Sequence, residues 1–223
     1  MAEKFNSTDL TEKELASQLK KPSGEQGKEV GKQMNKGNKY ICLNSYKCLA
    51  PSPNSNILEI GMGNGYFIKD LLALNTNLRY VGLDFSQTMI DEATKLNQAF
   101  IESGQVSFIN GSIEKLPFED NSMDCITTTN TIYFWPNLEA NVKELFRVLK
   151  PKGKLLIGYR SQELMDKISF TKHNFEKHTQ QEIELLLKTT GFQKVSTEII
   201  AEPELDFDGV PLVMEGLFTT GEK

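Results

Sequence analysis

Residues 57–67, ILEIGMGNGYF, set three glycines at alternate positions, Gly61, Gly63 and Gly65, directly after an apolar run. Glu59 stands two residues before the first of them. Glycine lets the chain turn sharply and come close to a ligand, because no Cβ stands in the way. A dinucleotide fingerprint needs a third small residue inside the following helix, at the position Tyr66 holds here. A carboxylate beside a pyrophosphate repels it, and beside a cation attracts it. The turn therefore points away from NAD and towards a ligand carrying positive charge. A tight strand-to-helix connection is the other reading of the glycines taken alone. Asp84, in YVGLDFS, follows at a distance suited to gripping both hydroxyls of a ribose, or to capping the helix that Ser86 opens. A third segment, INGSIEKLPFEDNSMD, brings Ser112 and Ile113 to the same edge, where an adenine can meet them.

These residues need a scaffold that delivers three chain segments to one edge. NILEIG, LRYVGLD, VSFING, MDCITTTN and KLLIGY read as strands, alternating with helices at YFIKDLLAL, SQTMIDEATKLNQAFIE and NLEANVKELFRVL. Phe67, Leu71 and Leu74 are expected on the inner face of the first, and Met89, Ala93, Leu96 and Phe100 on that of the second. TQQEIELLLKTTGF carries a capping box, Thr179 with Glu182, and a closing Gly191. FQKVSTEII and VPLVMEGLF finish the chain as strands. Before the first strand, TEKELASQLK reads as a short helix and Gly31–Ala50 as a longer helical stretch, stopped by PSPNS. Alternation of this kind predicts an α/β fold, with a mostly parallel, doubly wound sheet and helices on both faces. Ligands in such folds sit outside the carboxyl ends of the strands.

The 223 residues suit one sizeable domain. A net charge of −5 gives no electrostatic reason to bind nucleic acid or an anionic membrane. Seven lysines between Lys20 and Lys47 run against this excess, as an anion-attracting or simply solvated face. Cys42, Cys48 and Cys125 form no CxxC pair or disulfide spacing. The first residues, MAEKFNSTDL, lack the apolar core of a secretory signal, and no run approaches a membrane span. The expectation is a cytoplasmic enzyme or binding protein.

ILEIGMGNGYF, VGLDFS, GSIEKLPFEDNSMDCITTTN and FRVLKPKGKLLIG resemble four successive motifs of the class I S-adenosylmethionine-dependent methyltransferases. The pattern is most similar to the small-molecule group that includes the quinone-biosynthesis enzymes. The match runs from Asn56 to Gly158, and more loosely through TGF. It implies a Rossmann-like, seven-stranded sheet with an antiparallel last strand. Residues 51–223 would form the S-adenosylmethionine-binding core, and residues 1–50 an N-terminal arm and helices over the site.

The resemblance also implies roles. Glu59 and the backbone of Gly61, Met62 and Gly63 would surround the methionine end of S-adenosylmethionine, with Asn130 offering its backbone there. Asp84 would hold the ribose. Phe85, Met89 and Ile113 would line the adenine region, and Ser112 would stand near the exocyclic amine. Relatives often have Asp where Ser112 stands. Tyr133, Phe134 and Trp135, in TNTIYFWPN, would wall the acceptor pocket, although any one aromatic serves equally as core packing. NTIY departs from the Asn-Pro-Pro-aromatic motif of amino-group methylating relatives. Met34, Asn38 and Tyr40 would close over the pocket from the N-terminal side. No catalytic base is assigned; His173 and Tyr133 are the candidates, and His178 reads as structural. No metal is needed. The expected partner is a small-molecule acceptor, not nucleic acid, and the working form a monomer or homodimer. The alternatives are a non-catalytic nucleoside-binding module and an NAD-type oxidoreductase.

Overall fold

The computed structural model describes residues 3–5, 10–207 and 210–223. Residues 1–2 and 6–9 of the N-terminal arm lie outside the described residues. The chain begins with β1 (Glu3–Phe5), α1 (Glu12–Lys20), α2 (Gly24–Gly37) and α3 (Lys39–Leu49). The alternating part follows as β2 (Asn56–Ile60), α4 (Ile68–Leu72), β3 (Arg79–Asp84), α5 (Gln87–Leu96), α6 (Gln98–Glu102) and β4 (Val106–Asn110). It continues as β5 (Met123–Thr129), α7 (Leu138–Val148), β6 (Leu149–Tyr159), α8 (Gln162–Met165) and α9 (Gln180–Thr190). β7 (Gln193–Phe207) and β8 (Val210–Glu222) end it.

The strands form one sheet in the order β1-β7-β8-β6-β5-β2-β3-β4. Only β8 runs against its neighbours, pairing antiparallel with β6 and β7. Seven of these strands, β2 to β8, are the expected set. The eighth, β1, pairs parallel with the end of β7, Glu3 opposite Leu205. It covers backbone groups that the open edge of β7 would otherwise present.

Alternation along β2 sets the two faces. Leu58 and Ile60 join the core under α7 and α9, with Leu145, Val148 and Leu187. Ile57 joins the core under α3 and α4, with Ile41, Leu49 and Leu71. Glu59 faces the second side too, because side chains two apart share a face.

Local chemistry fixes the helix ends. Thr11 and Glu14 form a capping box on α1, and Thr179 and Glu182 form one on α9. Ser86 caps α5 by accepting from the Met89 amide, and Gly191 closes α9 at φ 116°. Three expectations fail in detail. Leu74 and Leu96 do not face inward but are exposed. The helix after Ser86 breaks at Asn97, whose side-chain amide donates to the Gly65 carbonyl at 3.1 Å and to the Ala93 carbonyl at 3.0 Å. That break ties the end of α5 to the glycine turn, and Leu96, the last residue of α5, lies exposed. The stretch read from Gly31 to Ala50 is likewise two helices, parted at Asn38, with α2 starting earlier, at Gly24.

Candidate functional site

A cavity of about 230 Å³ opens at the carboxyl ends of β2, β3 and β5. Its floor is the turn after β2, where Gly61, Gly63 and Gly65 all take left-handed backbone, at φ 70°, 59° and 66°. The three are not equivalent. A Cβ on Gly61 would lie 2.3 Å from the Thr131 methyl, and one on Gly65 would lie 2.9 Å from both Asn97 and Ile68. A Cβ on Gly63 would meet nothing within 4 Å. Two of the glycines therefore let protein pack closely, and the middle one leaves open space. Tyr66, at the position where a dinucleotide fold needs a small residue, is exposed instead. Gly65 takes the close contact with α5.

Two carboxylates are buried around this turn. Asp84, at the end of β3, accepts from the Gly63 amide at 3.1 Å and from the Ser86 amide at 2.8 Å. Burial raises its pKa to about 6, against the pull of those amides. Glu59 is buried to the same degree. Both its oxygens face tyrosine hydroxyls, Tyr46 at 3.0 and 3.2 Å and Tyr80 at 2.7 Å. Desolvation pushes its pKa up to about 7, and the two phenols only partly offset this. Burial and the adjacent carboxylate hold both phenols well above their usual range, so they remain donors. Glu59, Asp84 and Tyr46 all line the cavity.

The N-terminal helices are stitched to this edge. The Ser86 hydroxyl donates to the Pro22 carbonyl, Asn130 donates to the Asn38 side-chain oxygen at 2.9 Å, and Thr129 donates to Ser45 at 2.9 Å. The Lys21 ammonium lies 5.2 Å from the centre of the Phe85 ring. Met62, Phe85, Met89, Ser112 and Ile113 all line the cavity, as do Met34, Asn38, Asn130 and Trp135. Tyr133 lines a second cavity, of about 90 Å³, whose walls include Phe134, Phe170 and Phe175. Phe175 is the centre of that aromatic group, 4.6 Å from Phe134, 5.7 Å from Tyr133 and 5.9 Å from Phe170.

The structure does not bring Tyr40 or His173 to either cavity. Tyr40 follows the break at Asn38 and points its ring at the Lys39 ammonium, 5.4 Å away. His173 lies on the surface, its Nε2 3.8 Å from a Glu12 carboxylate oxygen. Burial holds the pKa of His178 down, in a half-buried setting before α9. Tyr46, Cys42 and Asn64 line the cavity although sequence reasoning did not single them out. The signal for Tyr46 was available: a buried acid such as Glu59 needs donors, and a tyrosine on an apolar helix can supply one. Among the described residues no group of three His, Cys, Asp or Glu is placed to hold a metal ion.

Residues 58–157 match the model of a methyltransferase domain family. This segment is thus similar to class I S-adenosylmethionine-dependent methyltransferase domains. The ubiquinone/menaquinone biosynthesis C-methyltransferase UbiE of Rickettsia typhi is 29% identical over 157 residues, 68% of this chain and 63% of that protein. Methyltransferase YdaC of Bacillus subtilis is 31% identical over 108 residues, 48% of this chain and 58% of that protein. The match thus spans less than two thirds of these relatives. Among solved structures, a chain of the Haloferax volcanii complex between the Trm112 methyltransferase activator and a methyltransferase superposes with a TM-score of 0.73. It is 19% identical, over 86% of this chain and 92% of that one. A methyltransferase of Aquifex aeolicus gives 0.64 at 17% identity, over 87% and 97%. At such identities the likeness shows the fold.

S-adenosylmethionine is the cofactor this domain implies. The residues present fit it. The space above Gly63 is the space a side chain there would fill, a buried acid on one side suits a cation, and a second suits a diol. No helix among the described residues is long and apolar enough to cross a membrane.

Proposed function

We propose that the chain transfers a methyl group from S-adenosylmethionine to a small-molecule acceptor. The observation that carries this reading is that Glu59 and Asp84, two buried carboxylates of different surroundings, line one cavity with an open Gly63. Glu59 would take the cationic methionine end, where its two tyrosine donors keep the carboxylate oriented. Asp84, already held by two amides, would accept from the ribose hydroxyls. Gly61, Met62 and Gly63 would bring backbone alongside the ligand, and Asn130, at φ 55°, would turn its carbonyl towards the same end. Phe85, Met89 and Ile113 would enclose the adenine, with Ser112 at its rim. When bound, the cofactor supplies an electrophilic methyl for in-line displacement, with a neutral thioether as leaving group.

The chain's share of the chemistry is then alignment and exclusion of water. The helices between Glu12 and Leu49 would serve this as a cover, tied down through Pro22, Asn38 and Ser45. Phe134 and Trp135 stand where the acceptor would approach, between the first cavity and the aromatic group. Tyr133 is a poor proton acceptor, since burial raises its pKa and its oxygen already accepts from the Arg160 amide. The acceptor therefore supplies its own nucleophile, as an acidic hydroxyl, thiol or activated carbon. Three free thiols suit a reducing compartment, which supports a cytoplasmic location.

The test is methyl-labelled S-adenosylmethionine incubated with the protein and a small-molecule extract. Label passing into an organic-soluble product supports the reading. Binding of S-adenosylmethionine with all label retained on it would favour a non-catalytic module.

A further inference from the structure

The second cavity is continuous in its walls with the first. The two share Leu19, Met34, Asn38, Asn130 and Phe134. Beyond that border the lining is mainly apolar, with Phe170, Phe175, Met165 and Met214. Arg160 also lines the second cavity, held through Nη1 by Glu202 at 2.8 Å and the Glu215 carbonyl at 2.7 Å, with Nη2 unpartnered among the described residues. A polar group at the border is well placed to read a ligand that crosses from one cavity to the other.

The hydrogen bonds there fix which atom that group presents. The Arg160 backbone N–H donates to the Tyr133 phenol oxygen at 2.6 Å. A backbone N–H can only donate, so the phenol must place its own hydrogen elsewhere. Its partner is the Asn130 side chain, at 3.1 Å, and that atom must be the carbonyl oxygen. The Asn130 amide nitrogen then faces Asn38, 2.9 Å away, and needs an acceptor there. Asn38 must present Oδ1 to Asn130, and its Nδ2 is left without a partner among the described residues. One backbone N–H thus sets two amide orientations in sequence and turns a two-hydrogen donor to the junction of the cavities. The residues are shaped for it. Asn130 holds left-handed backbone, at φ 55°, and Asn38 sits in the break between α2 and α3, at φ −103° and ψ 1°.

Resting on the methyl-transfer reading, we infer that the second cavity holds the body of the acceptor and that Asn38 positions it. The acceptor is an apolar ring compound bearing an oxygen that accepts a hydrogen bond from Asn38 Nδ2. A ring amine in the same pose would set donor against donor, which disfavours that class. Phe134 and Phe175, packed edge to face on each other, form one wall against the ring, and the oxygen sits where the two cavities join. Asn38 acts by holding the acceptor, and takes no proton.

The test uses single-ring probes that differ in that oxygen only: acetophenone, and α-methylstyrene, in which a CH₂ replaces the carbonyl oxygen. Each is titrated by ligand-observed NMR into the full chain saturated with S-adenosylhomocysteine. Asn38→Asp keeps an acceptor for Asn130 and exchanges the donor for a carboxylate oxygen. The ratio of acetophenone to α-methylstyrene affinity is expected to fall about fivefold or more in this variant, the worth of one buried hydrogen bond. Tyr133→Phe, which frees Asn130 to turn over, lowers the ratio in the same direction by less. A purely structural role for Asn38 would weaken both probes alike and leave the ratio fixed. An unchanged ratio, or failure of both probes to bind at millimolar concentration, with S-adenosylhomocysteine bound, overturns this inference alone. Failure of S-adenosylhomocysteine to bind the wild type overturns the methyl-transfer reading and this inference with it.

Discussion

The two cavities are built on opposite principles. The charged part of the first is local, although its other walls are not: one turn and the ends of two adjacent strands supply Glu59, Gly61, Gly63 and Asp84 within 26 residues of chain. The second is aromatic and assembled from afar, with Leu19, Phe134, Arg160, Phe170 and Met214 drawn from five separate segments. Ligand chemistry that needs backbone shape and fixed charge leaves a compact trace in a sequence. Chemistry that needs apolar volume leaves residues that look like ordinary core. The pair also differ in energetics. Buried carboxylates in the first make its behaviour depend on pH, and the second lacks a carboxylate in its lining.

The sharpest way to break the contrast is to fill the glycine turn. Gly61→Ala places a Cβ 2.3 Å from the Thr131 methyl at φ 70°, and is expected to abolish cofactor binding and to lower the melting temperature strongly. Gly63→Ala has room for its Cβ. It is expected to cost only about 1 to 2 kcal/mol of stability for the left-handed backbone, while weakening S-adenosylhomocysteine more than tenfold. Calorimetry beside thermal melts separates the two. Equal behaviour of the variants would refute the division of labour among the glycines.

Asp84→Ala comes next, with a loss of more than tenfold in S-adenosylmethionine affinity and an intact fold by circular dichroism. Unchanged affinity would remove Asp84 from the ribose.

The pH dependence is smaller and has a defined sign. Glu59 in the free protein has a pKa of about 7, above its unfolded value, so the protonated form is favoured by folding. Its ionisation therefore costs stability, on the order of 3 kcal/mol once pH exceeds the folded pKa. A cationic ligand beside Glu59 selects the ionised form. Affinity for S-adenosylmethionine is expected to rise from pH 6 to pH 8, with proton release on binding near pH 6. Glu59→Gln should bind weakly and keep only the smaller dependence near pH 6 that Asp84 brings, and should be more stable than the wild type at pH 8 but not at pH 4. A flat wild-type profile would contradict the placement of the cation.

The smallest effect on the cofactor is expected in the aromatic compartment. Phe175→Ala should shift S-adenosylhomocysteine affinity by less than twofold, and should lower acceptor turnover far more. A large loss of cofactor affinity would merge the two compartments into one.

How legible the molecule was follows the same line. Thr179, Glu182 and Gly191 announced α9 because capping is a short-range effect carried by side-chain type. Asp84 and the glycine turn could be located because a left-handed turn after a strand leaves few alternatives to glycine. The break at Asn97 was not readable: an amide donor in a helical run looks solvated until the Gly65 carbonyl, 32 residues away, comes within reach. Leu96 was misjudged with it. β1 was missed because three residues carry no period, and its partner lies at the far end of the chain. Tyr40 looked like a lid residue beside Asn38, yet Asn38 and Cys42 line the cavity and Tyr40, between them on α3, does not. Tyr46, six residues on, is the one that reaches Glu59.

The most direct test of the central claim is calorimetric titration of the wild-type chain with S-adenosylhomocysteine, with NAD as the control. The account predicts micromolar binding of the first and no heat from the second. Binding of NAD with silence from S-adenosylhomocysteine would contradict it, and would return Glu59 and Asp84 to some other ligand.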